Sequence, residues 1–583
     1  MQRPFTKATL QTAACCAVLA LLSSCGALPN SSSIAQLKPA TGASLQRCAD
    51  LVGSFQFNQT RIETAVPVAA GMSYMADQPL PAHCEVKGKM HERKGSDGRD
   101  YAIAFEMRLP QAWSGRFYYQ GNGGLDGSVQ PALGALGGGP LTGALMQGFA
   151  VISSDAGHTG AQTPYFGLEP QARLDYGYQA VGKLTPMAKA LIVSAYGKQP
   201  DRSYIGGCSN GGRHAMVAAA RYSDQFDGYL IGAPGYRLPN SALAQIWGAQ
   251  QWAKLATPGA TVKHSMVPNA TLADLASALT AQERQTVANA ILDKCDALDS
   301  VRDGMVQAIQ QCQNTFNLQR DVPTCSAERT GSCLSAAQKT TLASVMQGGK
   351  TKDGRTDLYS SFVYDPGIAG SNWATWKFVN SLALDPLALG AVFSVPPGRV
   401  DPLVDDIDAR LALMQAKNST YVESGFDHMM PPWGKANSTR DLRARGGKML
   451  MYHGVSDPIF SAEDTRRFVD NLQTSHDDTA ADHVRYFPVP GMNHCSGGPA
   501  ADQFDALTPL VQWVEYGQAP RSIIASVRGA GVFGGANPGG VNLDLPKNWA
   551  DNRTRPLCAY PTVAKFQGTG STEDANNFKC QQP

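Results

Sequence analysis

Ser209 lies in Gly207-Cys208-Ser209-Asn210-Gly211, with further glycines at 206 and 212. Glycines at this spacing let a strand turn sharply into a helix, so that the serine sits in a strained conformation with its Oγ exposed. Ser203-Tyr204-Ile205 supplies the approach, and Arg213 to Ala220 is a good helix former whose N-terminus favours a developing negative charge. On its own the pattern is also that of an ordinary glycine-rich turn. A serine hydroxyl is a poor nucleophile and needs a neighbouring base, itself oriented by an acid. Asp457, in Gly-Val-Ser-Asp after the apolar run Lys448–Tyr452, and His494, in Gly-Met-Asn-His-Cys after Val484–Val489, each stand just past a strand end.

The chain order Ser209, Asp457, His494 is that of an α/β hydrolase, and three strand ends in that order are harder to obtain by chance than the serine pattern alone. The rivals fit less well. His453 lies inside its strand, where a structural hydrogen-bonding role is expected. His428 falls in an irregular region, and Asp155 and His158 precede the serine. Cys208 and Cys495 each adjoin a proposed catalytic residue, so a bond between them would staple nucleophile to base. The loop Gly121–Gly127, after the strand Arg116–Gln120, is placed to lend a backbone N–H to an oxyanion.

The elements that must position these residues follow the same rhythm. Strands are expected at 101–107, 116–120, 149–155, 203–208, 227–235, 448–454 and 484–489, with helices over 172–196 and 505–515. Alternating strands and helices predict a parallel sheet. Residues 236–445 break the rhythm, with helices expected at Leu272–Lys294 and Ser335–Met346 and with Trp373, Trp376 and Phe378 suited to facing a substrate. The expected architecture is an α/β-hydrolase domain from 48–235 and 446–583 with a large lid, 236–445, inserted over the ligand-binding edge.

Within the lid, Cys295-Asp296-Ala297-Leu298-Asp299-Ser300-Val301-Arg302-Asp303-Gly304-Met305 gathers three acids that repel one another unless neutralised. Ca2+ would do so through the carboxylates of Asp296, Asp299 and Asp303 and the carbonyls of Val301 and Met305, in a loop that Cys295 and Cys312 could close. A solvated acidic turn is the alternative.

At 583 residues, the chain is too long for one simple core, and a formal net charge of +2 gives no electrostatic case for nucleic acid. Arg3 and Lys7 followed by a short apolar run make residues 1–25 an export signal. It ends in Leu22-Ser23-Ser24-Cys25, a lipobox pattern in which Cys25 would be lipidated, with Gly26 favouring outer-membrane sorting. Ordinary cleavage and secretion are the alternative. Residues 26–47 read as a flexible tether. Beyond the signal ten cysteines remain, an even number that argues for five disulfides in an exported protein.

With these residues assembled, the chain resembles the tannase/feruloyl esterase family from about Cys48 to Cys580. The matches are Gly-Cys-Ser-Asn-Gly-Gly, Gly-Ala-Pro-Gly-Tyr, Cys-Asp-Ala-Leu-Asp with Asp-Gly, Tyr-His-Gly-Val-Ser-Asp and Gly-Met-Asn-His-Cys-Ser-Gly-Gly-Pro. The resemblance implies Ser209 as nucleophile, Asp457 as orienting acid, His494 as base, and backbone N–H groups of Gly124 and Asn210 as the oxyanion hole. It implies structural Ca2+ in the lid and the pairs Cys48–Cys84, Cys208–Cys495, Cys295–Cys312, Cys325–Cys333 and Cys558–Cys580. It also places Trp376 against the substrate's aromatic ring. The terephthalate-cleaving branch of the family holds its substrate's carboxylate with a lid arginine, whereas Phe378 to Val395 here contains no Arg or Lys, and Arg399 is out of register.

The expected protein is therefore a secreted or outer-membrane-anchored monomer that hydrolyses small aromatic esters. Terephthalate monoesters lead, and feruloyl or galloyl esters are the alternative. A non-catalytic surface binding lipoprotein is a remoter reading.

Overall fold

The computed structural model describes residues 35–71, 79–134, 141, 143–263, 271–432, 438–475, 480–529 and 540–583. The export signal, Cys25 and the first part of the tether lie outside the described residues. Nine strands form the central sheet: β1 (Thr60–Val68), β2 (His83–Lys94), β3 (Asp100–Pro110), β4 (Arg116–Gln120), β5 (Ala150–Ser154), β6 (Arg202–Cys208), β7 (Gly228–Gly232), β8 (Lys448–Gly454) and β9 (Val484–Val489). Their order across the sheet is β9-β8-β7-β6-β4-β5-β3-β2-β1. Strands β9 to β5 run parallel, and β3, β2 and β1 continue the sheet antiparallel.

This topology explains how residues hundreds of positions apart meet. Parallel strands share one carboxyl edge, and loops leaving that edge converge. β6, β8 and β9 end at Cys208, Gly454 and Val489, so the loops bearing Ser209, Asp457 and His494 rise from the same side. The β5, β7 and β8 strands are buried along their full length, which fits their near-continuous apolar sequence. The lid inserted between β7 and β8 shares the core, its Leu243, Ile246 and Val287 joining one apolar cluster with Ile205 and Tyr229 of the sheet. Among the described residues no helix is long and apolar enough to cross a membrane.

Several local expectations need correction. The helix expected from Leu272 is a short strand, Thr271–Ala273, and a single turn, Leu275–Ala278; the helix proper is Ala281–Cys295. Thr280 and Glu283 form a reciprocal capping box there, which starts the helix afresh. The helix expected at 172–196 is Pro170–Leu174, a wider π turn at Asp175–Gln179, and Ala180–Tyr196. The tail expected to be loop-rich contains two antiparallel hairpin-like pairs, Ser522–Ser526 with Thr554–Cys558 and Val563–Phe566 with Phe578–Gln581.

The described part of the expected tether is docked, not free. Ala43–Ser44 pairs with Ala112–Trp113, Thr41 bonds Asp201, and the Ala40 N–H donates to Glu515 at 2.9 Å. Glu515 also receives both nitrogens of the Arg116 fork at 2.7 Å and the Tyr204 hydroxyl at 2.8 Å, tying β4, β6 and the helix Leu507–Tyr516 together. Removing one partner of such a buried pair strands the other, so Glu515→Ala is expected to cost about 3 kcal/mol. Urea unfolding measures this, and an unchanged midpoint would contradict the network's importance.

Candidate active site

Ser209 adopts φ 64° and ψ −126°, outside the regions open to ordinary residues. The strain is tolerated because the elbow is tightly held. A Cβ on Gly207 or Gly211 would fall 2.4 or 2.3 Å from the Gly121 carbonyl oxygen, so the oxyanion-side loop can approach only glycine. The helix Asn210–Arg221 starts directly after the serine and points its N-terminus at the hydroxyl.

His494 Nε2 is 2.8 Å from Ser209 Oγ, and His494 Nδ1 is 2.7 Å from Asp457 Oδ2. The side chains of Asp457 and His494 are buried. Burial works against the charge on Asp457, but the His494 and His453 rings outweigh it and hold the carboxyl below the usual carboxylate range. Its other oxygen accepts from the N–H groups of Ile459 and Phe460, each at 2.9 Å. Asp457 is thus an ionised, fixed acceptor for the Nδ1–H of His494, which leaves Nε2 free to take a proton from the serine.

The rejected rivals sit elsewhere. His453 is buried between Thr465 Oγ1 at 2.8 Å and the Phe460 carbonyl at 2.9 Å, and lies 3.3 Å from Asp457. Asp155 serves the N–H groups of Ala104 and Gly157; burial pushes its carboxyl up to about 7. His158 stacks on Phe166 at 3.6 Å, and burial pushes it down to about 4. The His428 Nδ1 faces the Ser424 carbonyl.

Gly124 and Asn210 both line the cavity that opens over Ser209. Asp126, which the sequence reading passed over, ties the two together. Its Oδ2 accepts from Asn210 Nδ2 at 2.8 Å and from His214 Nε2 at 2.9 Å. Burial and the adjoining Arg213 hold His214 below its ordinary value, so the ring is neutral and donates. The Tyr176 hydroxyl fixes the Gly124 carbonyl at 3.2 Å. The cue in the sequence was an acid two residues after Gly124, within a glycine-rich loop.

The lid reaches the site directly. Asn372 Oδ1 accepts from the His494 N–H at 3.3 Å, and Asp365 accepts from Ser456 Oγ at 2.5 Å and Gly491 N at 3.3 Å. Trp376 and Phe460 flank the His494 ring edge to face, with centroids 5.1 and 5.2 Å away. Both line the cavity, with Leu238, Ala242 and Phe393. Trp373 and Phe378, expected to face substrate, pack instead against each other and in the core. Arg399 is exposed and does not line the cavity.

All five cysteine pairs are bonded, as Cys48–Cys84, Cys208–Cys495, Cys295–Cys312, Cys325–Cys333 and Cys558–Cys580. They fit an exported protein. Cys208–Cys495 joins the residue before the serine to the residue after the histidine. In the acidic loop Asp296, Asp299 and Asp303 are buried. Asp296 accepts from the N–H groups of Asp303 and Gly304, Asp299 from Gln307, and Asp303 pairs with Arg555. Burial, reinforced by Asp303 and Asp296, pushes the Asp299 carboxyl up to about 8. Among the described residues no three His, Cys, Asp or Glu side chains converge tightly enough to hold a metal by themselves.

A strained serine, an imidazole and a carboxylate in one hydrogen-bonded line at the carboxyl edge of a parallel sheet define a serine hydrolase of α/β-hydrolase fold. The sequence matches the tannase and feruloyl esterase family over residues 84–581, and the chain belongs to that family. It is 36% identical over 567 residues to mono(2-hydroxyethyl) terephthalate hydrolase of Piscinibacter sakaiensis, covering 90% of this chain and 89% of the relative. It is 26% identical over 507 residues to feruloyl esterase C of Talaromyces stipitatus, covering 82% of each. Feruloyl esterase B from Aspergillus oryzae shares the fold with a TM-score of 0.70 at 23% identity, over 92% of this chain and 99% of that one.

Because Asp126 holds Asn210 and the Gly124 loop in register, Asp126→Ala is expected to lower kcat on a chromogenic ester by at least about tenfold with a smaller change in KM, as for a loosened oxyanion donor. Unchanged kcat would show that the loop holds its position without the carboxylate.

Proposed function

We propose that the protein hydrolyses small aromatic carboxylic esters through a serine acyl-enzyme. The observation that carries this reading is the line Asp457–His494–Ser209 opening into an apolar cavity flanked by Trp376. His494 Nε2 takes the Ser209 proton as Oγ attacks the ester carbonyl, and Asp457 stabilises the imidazolium that forms. The negative charge on the tetrahedral oxygen is met by the backbone N–H groups of Gly124 and Asn210, each donor contributing about 3 kcal/mol. His494 then returns the proton to the leaving alkoxide. Water, activated by the same ring, attacks the acyl-enzyme and releases the aromatic acid. The indole of Trp376 offers a flat face or edge for the substrate ring.

Terephthalate monoesters are the lead substrates because the relative of highest identity reported above is named for one. Feruloyl or galloyl esters are favoured by a separate observation: among the described residues no Lys or Arg lines the cavity to receive a carboxylate. We further propose that the enzyme works as a monomer, since the site is complete within one chain. Lipidation at Cys25 would anchor it to the outer membrane.

We propose that the acidic lid loop takes structural Ca2+, with backbone carbonyls completing its carboxylates. Asp296, Asp299 and Asp303 are all buried, and of the three only Asp303 forms an ion pair, with Arg555; a divalent ion would relieve the burial of the other two carboxylates. Asp296, Asp299 and Asp303, completed by carbonyls of Val301 and Met305, would hold it. When bound the ion would neutralise the loop and brace the lid, outside the chemical steps.

Ser209→Ala is expected to lower kcat on methyl ferulate and on a terephthalate monoester by at least about 10⁴-fold with the fold intact; equal turnover by variant and parent would discard the assigned nucleophile. Treatment with a calcium chelator is expected to lower Tm by several degrees and release about one metal equivalent per chain. An unchanged Tm with no metal released would remove calcium from the account.

A further inference from the structure

The lid turn Pro366–Ala369 is wedged between the two loops that carry the acid and the base. A Cβ on Gly367 would fall 2.4 Å from the Gly491 carbonyl oxygen and 2.5 Å from Ser456 Cβ. One on Gly370 would fall 2.2 Å from Asn493 Oδ1, so only glycine lets the lid backbone come this close. Asp365 caps the turn. Its Oδ1 accepts from the Gly367 N–H at 3.0 Å and from Ser456 Oγ at 2.5 Å, and its Oδ2 from the Gly491 N–H at 3.3 Å. In return, Asn493 Nδ2 donates to the Gly367 carbonyl at 2.9 Å. Ser456 and Asn493 immediately precede Asp457 and His494, so the lid grips the residue before each. Asp365 is 2% exposed, and these three partners are a hydroxyl and two N–H groups, none of them a cation. A buried carboxyl is costly, and an apolar side chain would fill the same space at lower cost. What the carboxyl adds is direction: its hydrogen bonds fix the separation of the groups they join, whereas apolar contacts are non-directional.

We propose that Asp365 is a positioning residue for the reaction: the lid carboxyl that sets the loop of Asp457 against the loop of His494, so that the lid serves the chemical step and not only substrate binding. The proposal rests on the ester-hydrolase reading and extends it from the sheet edge to the lid. Asp365 touches none of the reacting atoms. Its effect passes through Ser456 and Gly491 to the spacing of His494 Nδ1 and Asp457 Oδ2, which stands at 2.7 Å. A misplacement of about an ångström in such a line costs up to about a hundredfold in rate. The two loops also meet directly, the Ser456 N–H donating to the Met492 carbonyl at 3.0 Å. Loss of Asp365 therefore loosens the line without severing it, and leaves residual activity.

The test compares the parent with Asp365→Ala and the near-isosteric Asp365→Asn on two esters. One is 4-nitrophenyl acetate, whose acyl group is too small to depend on the lid cavity; the other is 4-nitrophenyl benzoate, whose acyl ring must enter it. In Asp365→Ala kcat is expected to fall at least about tenfold on both esters, with KM changed by less than about threefold. In Asp365→Asn the amide oxygen still accepts from Ser456, but its NH2 meets the Gly491 N–H donor against donor, so kcat is expected to fall at least about threefold. A readout that needs no ester is the far-downfield proton NMR signal of the His494 Nδ1–H bonded to Asp457, which is expected to move upfield in Asp365→Asn. The proposal is overturned by an unchanged kcat in Asp365→Asn, by a rise in KM alone, by a loss confined to the benzoate, or by an unmoved proton signal. Should Asp365→Ala fail to fold, Asp365→Asn decides. If the parent cleaves neither ester in a Ser209-dependent way, the ester-hydrolase reading falls, and the proton signal still tests the placement of acid and base. If Ser209-dependent cleavage persists and kcat ignores Asp365, only the present proposal falls.

Discussion

The two hydrogen bonds that run from Asp457 through His494 to Ser209 constrain everything around them. They join three loops separated by 285 and 37 positions in sequence, and they survive only if those loops leave the sheet at matching heights. The parallel register does this. β6, β7, β8 and β9 are paired so that Cys208 faces Gly232, Gly232 faces Tyr452 and Gly454 faces Val489. A slip of one residue in any pair would turn the following loop to the opposite face.

Around that line the protein adds restraints of different physical kinds. The Cys208–Cys495 bond limits how far the serine and histidine loops can separate. Polar contacts from the buried Asp365 and the half-buried Asn372 tie the lid to the acid and histidine loops, so the lid braces the site as well as covering it. Asp126 links the glycine-rich loop to the elbow helix through Asn210 and His214. Together these restraints, most of them shielded from water, are the kind that holds a geometry to a few tenths of an ångström.

The serine, acid and histidine were legible in the sequence because strand ends can be read from apolar runs and because their chain order is a topological property. The even cysteine count was legible too, while the pairing came through family resemblance, since ten cysteines permit many connectivities. Asp365 and Asn372 were not legible, because each acts through partners brought near only by tertiary packing, and Asp126 showed only as an acid within a glycine-rich loop. The helix expected from Leu272 was misplaced because the apolar spacing ran on past Thr280, where the capping box begins a new helix. Trp373, Trp376 and Phe378 looked alike in sequence. In the structure Trp376, on the wider π turn at Thr375–Val379, lines the cavity, while Trp373 and Phe378 are buried in the core.

The central claim is that the strained hydroxyl at 209 is activated by the imidazole at 494. Labelling with a fluorophosphonate, followed by intact-mass measurement and peptide mapping, tests it most directly. The account predicts one adduct per chain, located on Ser209, formed rapidly by the parent and very slowly by His494→Ala. A label on a different serine, or labelling at the same rate in the two proteins, would contradict it.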